Sequence, residues 1–212
     1  MSKQKCNNKE DGLCDTRNFE TSERRSASLE SPLMNKNTQQ SRRAIIVVDM
    51  QNDFITGSLK NESAKEIIPF IKSELESGKY DGIFFTQDTH HEDYLDTQEG
   101  RKLPVPHCAY ASHGWQIVDE LQPFASDPNN LIKKSTFGWP HWHTMRKELS
   151  QFDEIVLCGT VTSICVLSNA ILLKTFFPSM EISVLSMGVA DITPEHNRAA
   201  LIAMKSCQIN II

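Results

Sequence analysis

Residues 157–167 have the sequence LCGTVTSICVL. The pattern predicts a buried β-strand, a tight glycine turn and then a helix with Cys165 in its first turn. The first backbone N–H groups of a helix have no intrahelical partner and carry a partial positive charge. We expect this position to lower the pKa of the thiol and to bind the oxyanion that forms when sulfur attacks a carbonyl. Cys165 is therefore a candidate nucleophile, and the alternative is a small apolar core residue.

Strands and helices alternate along the chain from residue 44 onward. Apolar runs predict strands at residues 44–48, 83–86, 131–133, 155–158, 182–185 and 209–212. Helices are predicted at residues 64–77, where Pro69 is expected to introduce a kink, at 144–149, at 163–177 and from Thr193 onward. This alternation predicts a three-layer α/β/α fold with a mainly parallel six-stranded sheet.

The first 42 residues differ from the rest of the chain. They are rich in Lys, Arg, Ser, Asn and Gln, contain few large apolar residues and show no periodicity. Such a segment cannot bury enough apolar surface to offset the entropy lost on ordering. We therefore predict a disordered polar N-terminal tail at residues 1–42 and one domain at residues 43–212.

The composition argues against several classes of function. The net charge of −5 disfavours nucleic acid as a partner, and no apolar run approaches the roughly 20 residues that span a membrane. The N-terminus lacks the apolar core of a secretion signal, and the six cysteines form no C-x-x-C pair. These features predict a cytoplasmic protein with reduced thiols.

Three reactive side chains follow predicted strands. Asp49 follows the first strand, Lys134 the third and Cys165 the fourth. The carboxyl ends of parallel strands meet at one edge of a sheet, so we expect these side chains to lie close together. A carboxylate can accept the thiol proton, an ammonium can stabilise the charged pair, and the thiolate can attack a carbonyl. Taken singly, an Asp or Lys at such a position is more often a turn cap or a solvated charge.

A second group of polar residues follows the second predicted strand. Asp88 and His90 are two positions apart, so in an extended segment their side chains point the same way. His107 follows in the same polar region. Imidazole and carboxylate ligands suit Zn, Fe or Mn, and the alternative is a polar loop with incidental histidines. His141 and His143 form a second, weaker candidate pair.

Three motifs in this order resemble those of the isochorismatase-like cysteine hydrolases, with the nicotinamidases as the nearest branch. The motifs are VVDMQNDF at residues 47–54, the segment around Lys134 and GTVTSICV at residues 159–166. The resemblance implies an isochorismatase-like hydrolase fold and a triad of Asp49, Lys134 and Cys165, with Lys134 preferred to Lys133. It also implies a cis peptide bond between Thr160 and Val161, and an oxyanion hole formed by the N–H groups of Val161 and Cys165.

The resemblance extends to a metal site. Most nicotinamidases have a histidine six residues after the metal-binding aspartate, where this chain has Tyr94. Some use a glutamate further along, and Glu99 matches that pattern. The implied ligands of a divalent transition metal, with Zn preferred to Fe or Mn, are Asp88, His90, Glu99 and His107. The family's tryptophan three residues before the last histidine is Pro104 here. We therefore expect the aromatic wall of the substrate site to consist of Phe54 together with Phe137 or Trp139.

The implied activity is hydrolysis of nicotinamide to nicotinate and ammonia through a Cys165 thioester. One alternative keeps the triad and changes the small-molecule amide to a ureido or N-carbamoyl compound. Another is a non-enzymatic binding module that acts through the tail. We expect a homo-oligomer that binds neither nucleic acid nor membrane.

Overall fold

The computed structural model describes residues 41–212, so the predicted tail lies outside the described residues except for its last two positions. One sheet contains six strands: β1 (Arg43–Val48), β2 (Gly82–Asp88), β3 (Leu131–Lys134), β4 (Glu154–Thr160), β5 (Glu181–Ala190) and β6 (Asn210–Ile211). Their order is β3-β2-β1-β4-β5-β6, and every neighbouring pair is parallel. The predicted α/β class and parallel six-stranded sheet are confirmed.

Helices connect the strands. They are α1 (Asn52–Ile55), α2 (Glu62–Glu66), α3 (Ile68–Glu76), α4 (Gln98–Lys102), α5 (Arg146–Leu149), α6 (Leu167–Phe176) and α7 (Pro194–Ser206). A π-helical segment, Thr162–Val166, precedes α6, and 3₁₀ turns lie at Tyr94–Asp96, Gln122–Phe124, Pro128–Asn130 and Trp142–Met145. Among the described residues, no helix has the length and apolar character needed to cross a bilayer.

The predicted helix at residues 64–77 is two helices rather than one kinked helix. α2 ends at Glu66 and α3 begins at Ile68, so Ile67 caps both helices, and Pro69 lies in the first turn of α3. Proline has no backbone N–H to donate and its ring clashes with the preceding turn, so a helix starts at it more readily than it passes through it. The short helices α1 and α4 were not predicted, because one turn is too short to show helical periodicity.

Apolar residues cover both faces of the sheet. Ala44, Ile46 and Val48 of β1 pack into a cluster with apolar residues of α6 and α7. Ile45 and Val47 point to the opposite face and pack into a cluster with apolar residues of α2 and α3. This alternation within one strand is what a sheet covered by helices on both faces requires.

The carboxyl ends of β1 and β4 form the crevice of the fold. The chain proceeds from β1 to β2 and β3 on one side and then adds β4 on the other side of β1, which makes this position a topological switch point. Gly159 lies opposite Val48 with a φ of 116°. A Cβ atom at Gly159 would lie 2.1 Å from the carbonyl oxygen of Val48. Glycine therefore lets β4 end directly beside Asp49.

Candidate active site

Asp49, Lys134 and Cys165 meet at this crevice. Lys134 Nζ lies 2.7 Å from Asp49 Oδ2 and 3.7 Å from Cys165 Sγ. All three residues are buried. A buried ammonium is costly unless opposite charge lies beside it, and the Asp49 carboxylate supplies that charge. The structure thus brings together the three residues that the sequence placed at one edge of the sheet.

Lys133 lies on the other face of β3. Its Nζ is 5.1 Å from the ring centroid of Tyr110 and 5.4 Å from that of Trp115, which are cation–π distances. Successive residues of a strand point to opposite faces, so only one of the two lysines can reach Asp49. The lysine that does so is Lys134.

Asp49 has an uncommon backbone conformation immediately after β1. Its φ of 51° lies in the left-handed region, which Asp tolerates better than most residues with a side chain. Thr86 Oγ1 donates a hydrogen bond of 2.6 Å to Asp49 Oδ1. The Lys134 ammonium donates to Asp49 Oδ2 across the 2.7 Å contact. A carboxylate oxygen has a second lone pair, with which Oδ2 can still accept a proton.

Burial and neighbouring charges control the protonation of the three groups. Burial raises the pKa of Asp49, against the opposing effect of the Lys134 ammonium. Burial also raises the pKa of Cys165 well above its usual range. Burial alone would lower the pKa of Lys134, but its acidic neighbours Asp49, Cys165 and Asp88 together outweigh burial and raise it. In the resting site the ammonium is charged and the thiol keeps its proton.

The prediction that the Cys165 pKa is lowered is therefore wrong for the resting site. Cys165 is the fourth residue of the π-helical segment and only 7% exposed, so desolvation of the thiolate dominates. The start of the segment already has an acidic partner, because Asp191 Oδ2 accepts the backbone N–H of Ser163 at 2.6 Å. Both features depend on tertiary packing, which local sequence does not reveal.

The backbone around the thiol has the expected cis peptide bond between Thr160 and Val161. The carbonyl oxygen of Val161 accepts N–H groups from Ile164 at 3.0 Å and Val166 at 3.2 Å. Val161 and Cys165 both line the cavity in which the thiol lies. Their role as an oxyanion hole stays a prediction.

Asp88, His90 and His107 form a compact cluster in which all ligand atoms lie within 4.8 Å of one another. His90 Nε2 is 3.0 Å and His107 Nε2 is 3.4 Å from Asp88 Oδ2. His107 Nδ1 lies 2.9 Å from the carbonyl oxygen of Val105. An N–H at Nδ1 that donates to this oxygen leaves Nε2 as the ligand atom. Two imidazole nitrogens and a carboxylate oxygen fit a divalent transition metal.

Asp88 belongs to both clusters. Its Oδ1 lies 3.2 Å from Lys134 Nζ, while its Oδ2 faces the two histidines. Burial opposes ionisation of Asp88, but the Lys134 ammonium and the histidines outweigh it and lower the pKa of this carboxyl. The Asp88 carboxylate is therefore ionised, as a metal ligand must be.

Gln51 positions Asp88, and sequence reasoning did not assign it this role. Its Oε1 accepts the backbone N–H of Asp88 at 2.7 Å, and its Nε2 donates to the carbonyl oxygen of Asp88 at 2.9 Å. Gln51 is fully buried. A polar residue two positions after Asp49, in a segment expected to be buried, was the available signal.

Glu99 and Tyr94 lie beside the cluster in different ways. Glu99 Oε1 is 4.0 Å from His90 Nε2, outside the compact set of three. The Tyr94 hydroxyl donates to the carbonyl oxygen of Leu103 at 2.8 Å, and its ring packs 4.6 Å from the His90 ring. Tyr94 thus supports the imidazoles with its ring while its oxygen is engaged elsewhere. Glu99 is the nearer candidate for a fourth ligand.

One cavity of about 630 Å³ joins the thiol to the metal-type cluster. Cys165, Asp88, Glu99 and His107 all line it, and so do the aromatic residues Phe54 and Phe137. Trp139 is not among its lining residues, because its ring packs against Trp142 at 5.0 Å. The arrangement gives a small molecule simultaneous access to the thiol of Cys165 and to the candidate metal ligands Asp88, Glu99 and His107.

The second candidate pair, His141 and His143, does not form such a cluster. Their ring centroids are 6.1 Å apart, and each ring packs against an aromatic neighbour, Trp139 or Phe176. Within residues 41–212, the one compact group of potential metal ligands is Asp88, His90 and His107.

Comparisons with known proteins agree with this fold. Residues 43–212 match the isochorismatase domain family. The chain is 25% identical to a nicotinamidase from Schizosaccharomyces pombe over 194 residues, which cover 74% of this chain and 86% of that protein.

Two solved structures are also similar to this protein. A pyrazinamidase of Pyrococcus horikoshii in complex with zinc has 25% identity and a TM-score of 0.66, over 81% of this chain and 98% of that one. A nicotinamidase/pyrazinamidase from Bacillus subtilis has 26% identity and a TM-score of 0.67, over 80% and 98%. Because the family match spans nearly all the described residues, the chain belongs to the isochorismatase family of hydrolases.

Proposed function

We propose that this protein is a metal-dependent cysteine amidohydrolase that converts nicotinamide and water to nicotinate and ammonia. The observation that carries the proposal is the position of Lys134. Its ammonium contacts Asp49, Asp88 and Cys165, and so joins an acid–thiol pair to a metal-type cluster. Cys165, Asp88 and His107 line the same cavity. The similarity to a nicotinamidase and to pyrazinamidases supports the choice of a pyridine-type carboxamide.

The reaction begins with transfer of the thiol proton of Cys165 to Asp49 Oδ2. The thiolate attacks the carboxamide carbon, and the backbone N–H groups of Val161 and Cys165 stabilise the oxyanion, typically by about 3 kcal/mol per donor. The protonated Asp49 gives its proton to the leaving nitrogen, the C–N bond breaks, and ammonia departs from a thioester. Throughout, the Lys134 ammonium compensates the negative charge that moves between sulfur and carboxylate.

The second half of the reaction restores the enzyme. Asp49, again ionised, accepts a proton from water as the water oxygen attacks the thioester carbonyl. The C–S bond breaks, and the proton returns from Asp49 to the Cys165 sulfur. The product leaves as nicotinic acid, which becomes nicotinate by giving its proton to ammonia or solvent. Each bond formed is matched by one broken, and no oxidant or reductant is consumed.

Asp88, His90 and His107 would hold the metal, with Glu99 as a fourth ligand. We take the metal to be zinc, because two imidazoles and a carboxylate suit it and a similar structure is described in complex with zinc. When bound, the metal would coordinate the pyridine nitrogen and so orient the ring. Phe54 lies with its ring 5.7 Å from that of His107 and would cover the pyridine.

The direct test is ammonia release by the purified protein with zinc supplied. We expect equimolar ammonia and nicotinate from nicotinamide, and metal bound near one equivalent. Turnover of an N-carbamoyl or ureido compound without turnover of nicotinamide would reject nicotinamide as the substrate but would leave the proposed catalytic triad in place.

The cavity supports this second candidate, because about 630 Å³ is in the range that holds drug-sized ligands and exceeds the needs of one pyridine carboxamide. No turnover of any small amide would favour a binding module.

Replacing Thr86 with valine is expected to move the acid limb of the pH profile of kcat/KM to higher pH. The Thr86 hydroxyl stabilises ionised Asp49, so its loss raises the pKa of Asp49 further. Asp49 must be ionised to accept the thiol proton. Activity therefore falls as the pH drops through this pKa, and the fall begins at higher pH in the variant. Thr89→Val is the matched control, because the Thr89 hydroxyl bonds Gln87 and Trp115 rather than Asp49. An acid limb unchanged in Thr86→Val would argue against Asp49 as the base.

We also propose that the enzyme acts in the cytoplasm, where its nicotinate would enter NAD salvage and pyridine nucleotide biosynthesis. The four cysteines of the described residues are free thiols, which suits a reducing compartment. The homo-oligomeric state stays a prediction.

A further inference from the structure

We propose that Asn169 is a positioning residue that holds Phe137 as the specificity-determining wall of the substrate site. The inference rests on the proposed function for the identity of the substrate, although its geometry does not. Asn169 lies on α6, four residues after Cys165, and is fully buried. Asn169 and Ser168 are the two polar residues of a mainly apolar helical stretch, LSNAILL at residues 167–173.

The Asn169 side chain makes four hydrogen bonds. Its Oδ1 accepts the backbone N–H of Trp139 at 2.9 Å and the indole N–H of Trp142 at 2.9 Å. Its Nδ2 donates to the carbonyl oxygen of Cys165 at 2.8 Å and to that of Phe137 at 3.4 Å. Both polar ends of the amide are saturated, so the residue ties the helix of the thiol to the loop that carries Phe137.

The loop between β3 and the Trp142 turn also lies directly on α6. A Cβ atom at Gly138 would lie 2.7 Å from Leu172 Cδ1 and 3.0 Å from Ser168 Cβ. Glycine therefore allows the loop backbone to approach the helix closely enough for Asn169 to reach Phe137 and Trp139. The loop is fixed on both sides of Gly138.

Phe137 itself is not packed into the core. Its side chain is about half exposed, with 50% of its surface accessible. It lines the 630 Å³ cavity of Cys165 and also a neighbouring cavity of about 530 Å³ that contains His90. Phe137 therefore stands between the two cavities, held through its backbone rather than through its ring. A ring that a fixed backbone presents at this position can cover an aromatic substrate.

Only an amide satisfies all four partners. Asn169→Asp keeps an acceptor for Trp139 and Trp142 but places a carboxylate against the carbonyl oxygens of Cys165 and Phe137. Asn169→Leu keeps the approximate volume and removes all four bonds. Trp142→Phe is the matched control, because it removes one hydrogen bond to Asn169 and leaves both bonds to the Phe137 loop.

In steady-state kinetics with nicotinamide, Asn169→Asp is expected to raise KM roughly three- to tenfold, the usual contribution of one aromatic pair, while kcat changes less than about twofold. Phe137→Ala should raise KM by a similar factor. The double variant should be no worse than Phe137→Ala, because both changes remove the same wall. Trp142→Phe should leave KM unchanged, even where it lowers thermal stability as much as Asn169→Asp does.

Alkylation of Cys165 gives a second measurement that does not require nicotinamide to be the substrate. Phenacyl bromide has an aromatic ring but no pyridine nitrogen, and iodoacetamide has no ring. The rate of Cys165 alkylation by phenacyl bromide divided by the rate with iodoacetamide therefore reports on the wall and not on the metal. We expect Asn169→Asp and Phe137→Ala each to lower this ratio three- to tenfold. Mass spectrometry of the Cys165 peptide would measure the alkylation at this residue.

Three results would overturn the inference. One is a wild-type protein with no preference for the aromatic reagent. Another is a folded Asn169→Asp or Asn169→Leu protein with the wild-type rate ratio. The last is additive effects of Asn169→Asp and Phe137→Ala. Failure to hydrolyse nicotinamide with a normal alkylation pattern would reject only the proposed substrate.

Discussion

Cys165→Ala is expected to abolish ammonia release, lowering kcat by about 10⁴-fold or more, with little effect on the fold. In the proposed reaction the sulfur forms the thioester, and removal of a catalytic nucleophile from such a constellation typically costs this much or more. Cys165 packs at the edge of the apolar cluster beside β1, so its truncation to alanine is tolerable for stability. The measurement is ammonia release under saturating nicotinamide, with circular dichroism to verify folding.

Cys158→Ala is the matched control for this prediction. Cys158 is a free thiol like Cys165 and is also buried, but it lies within β4 and packs into the cluster on the other face of the sheet. Burial raises the pKa of its thiol and the negative charge of Glu74 raises it further, whereas the Lys134 ammonium lies 3.7 Å from Cys165. The control should retain wild-type kcat. Full activity of the Cys165→Ala protein would show that the chemistry does not pass through a thioester.

His107→Ala is expected to lose the bound metal and to lower kcat/KM for nicotinamide by about 10²-fold or more. The substitution removes one of the four proposed ligands, and loss of even a supporting residue of a metal site typically costs 10–100-fold in metal affinity or activity. The remaining Asp88, His90 and Glu99 leave the proposed site one protein ligand short. Metal content by mass spectrometry and turnover should be measured on the same dialysed sample.

Two further variants sharpen the metal prediction. His141→Ala is the control, because His141 packs against Trp139 and lies outside the compact cluster, so it should keep metal and activity. Glu99→Gln should weaken metal binding more than Tyr94→Phe, because the Glu99 carboxylate faces His90 while the Tyr94 hydroxyl bonds Leu103. A His107→Ala protein with a full equivalent of tightly held metal would contradict the ligand assignment.

The sheet could be predicted because its signals are local. Short apolar runs define β1 and β4, and strict alternation with helical segments is enough to make neighbouring strands parallel. The break at Ile67 was only half predicted, since Pro69 marks a disruption without showing whether the helix bends or restarts. The short helices α1 and α4 contain too few residues to display a period.

The candidate site was predictable in its members but not in its protonation. Asp49, Lys134 and Cys165 each follow a strand, and the rule that parallel strands end at one edge brings them together. The raised pKa of Cys165 depends on how deeply the thiol is buried and on the carboxylate of Asp49 beside it. Both depend on residues far apart in the chain, so a helix-start argument from neighbouring residues predicted the wrong direction.

The amino-acid sequence alone was enough for the α/β class, the parallel sheet and the residues that reach its crevice, because strand periodicity and strand ends are properties of short segments. Tertiary structure decided that Lys134 rather than Lys133 reaches Asp49, that Asp88 serves both clusters and that Gln51 and Asn169 support the site. The physical reason is that hydrogen bonds and burial join residues from separate elements. The stretch at residues 157–167 thus specifies where the thiol lies, and its partners across the fold determine its chemistry.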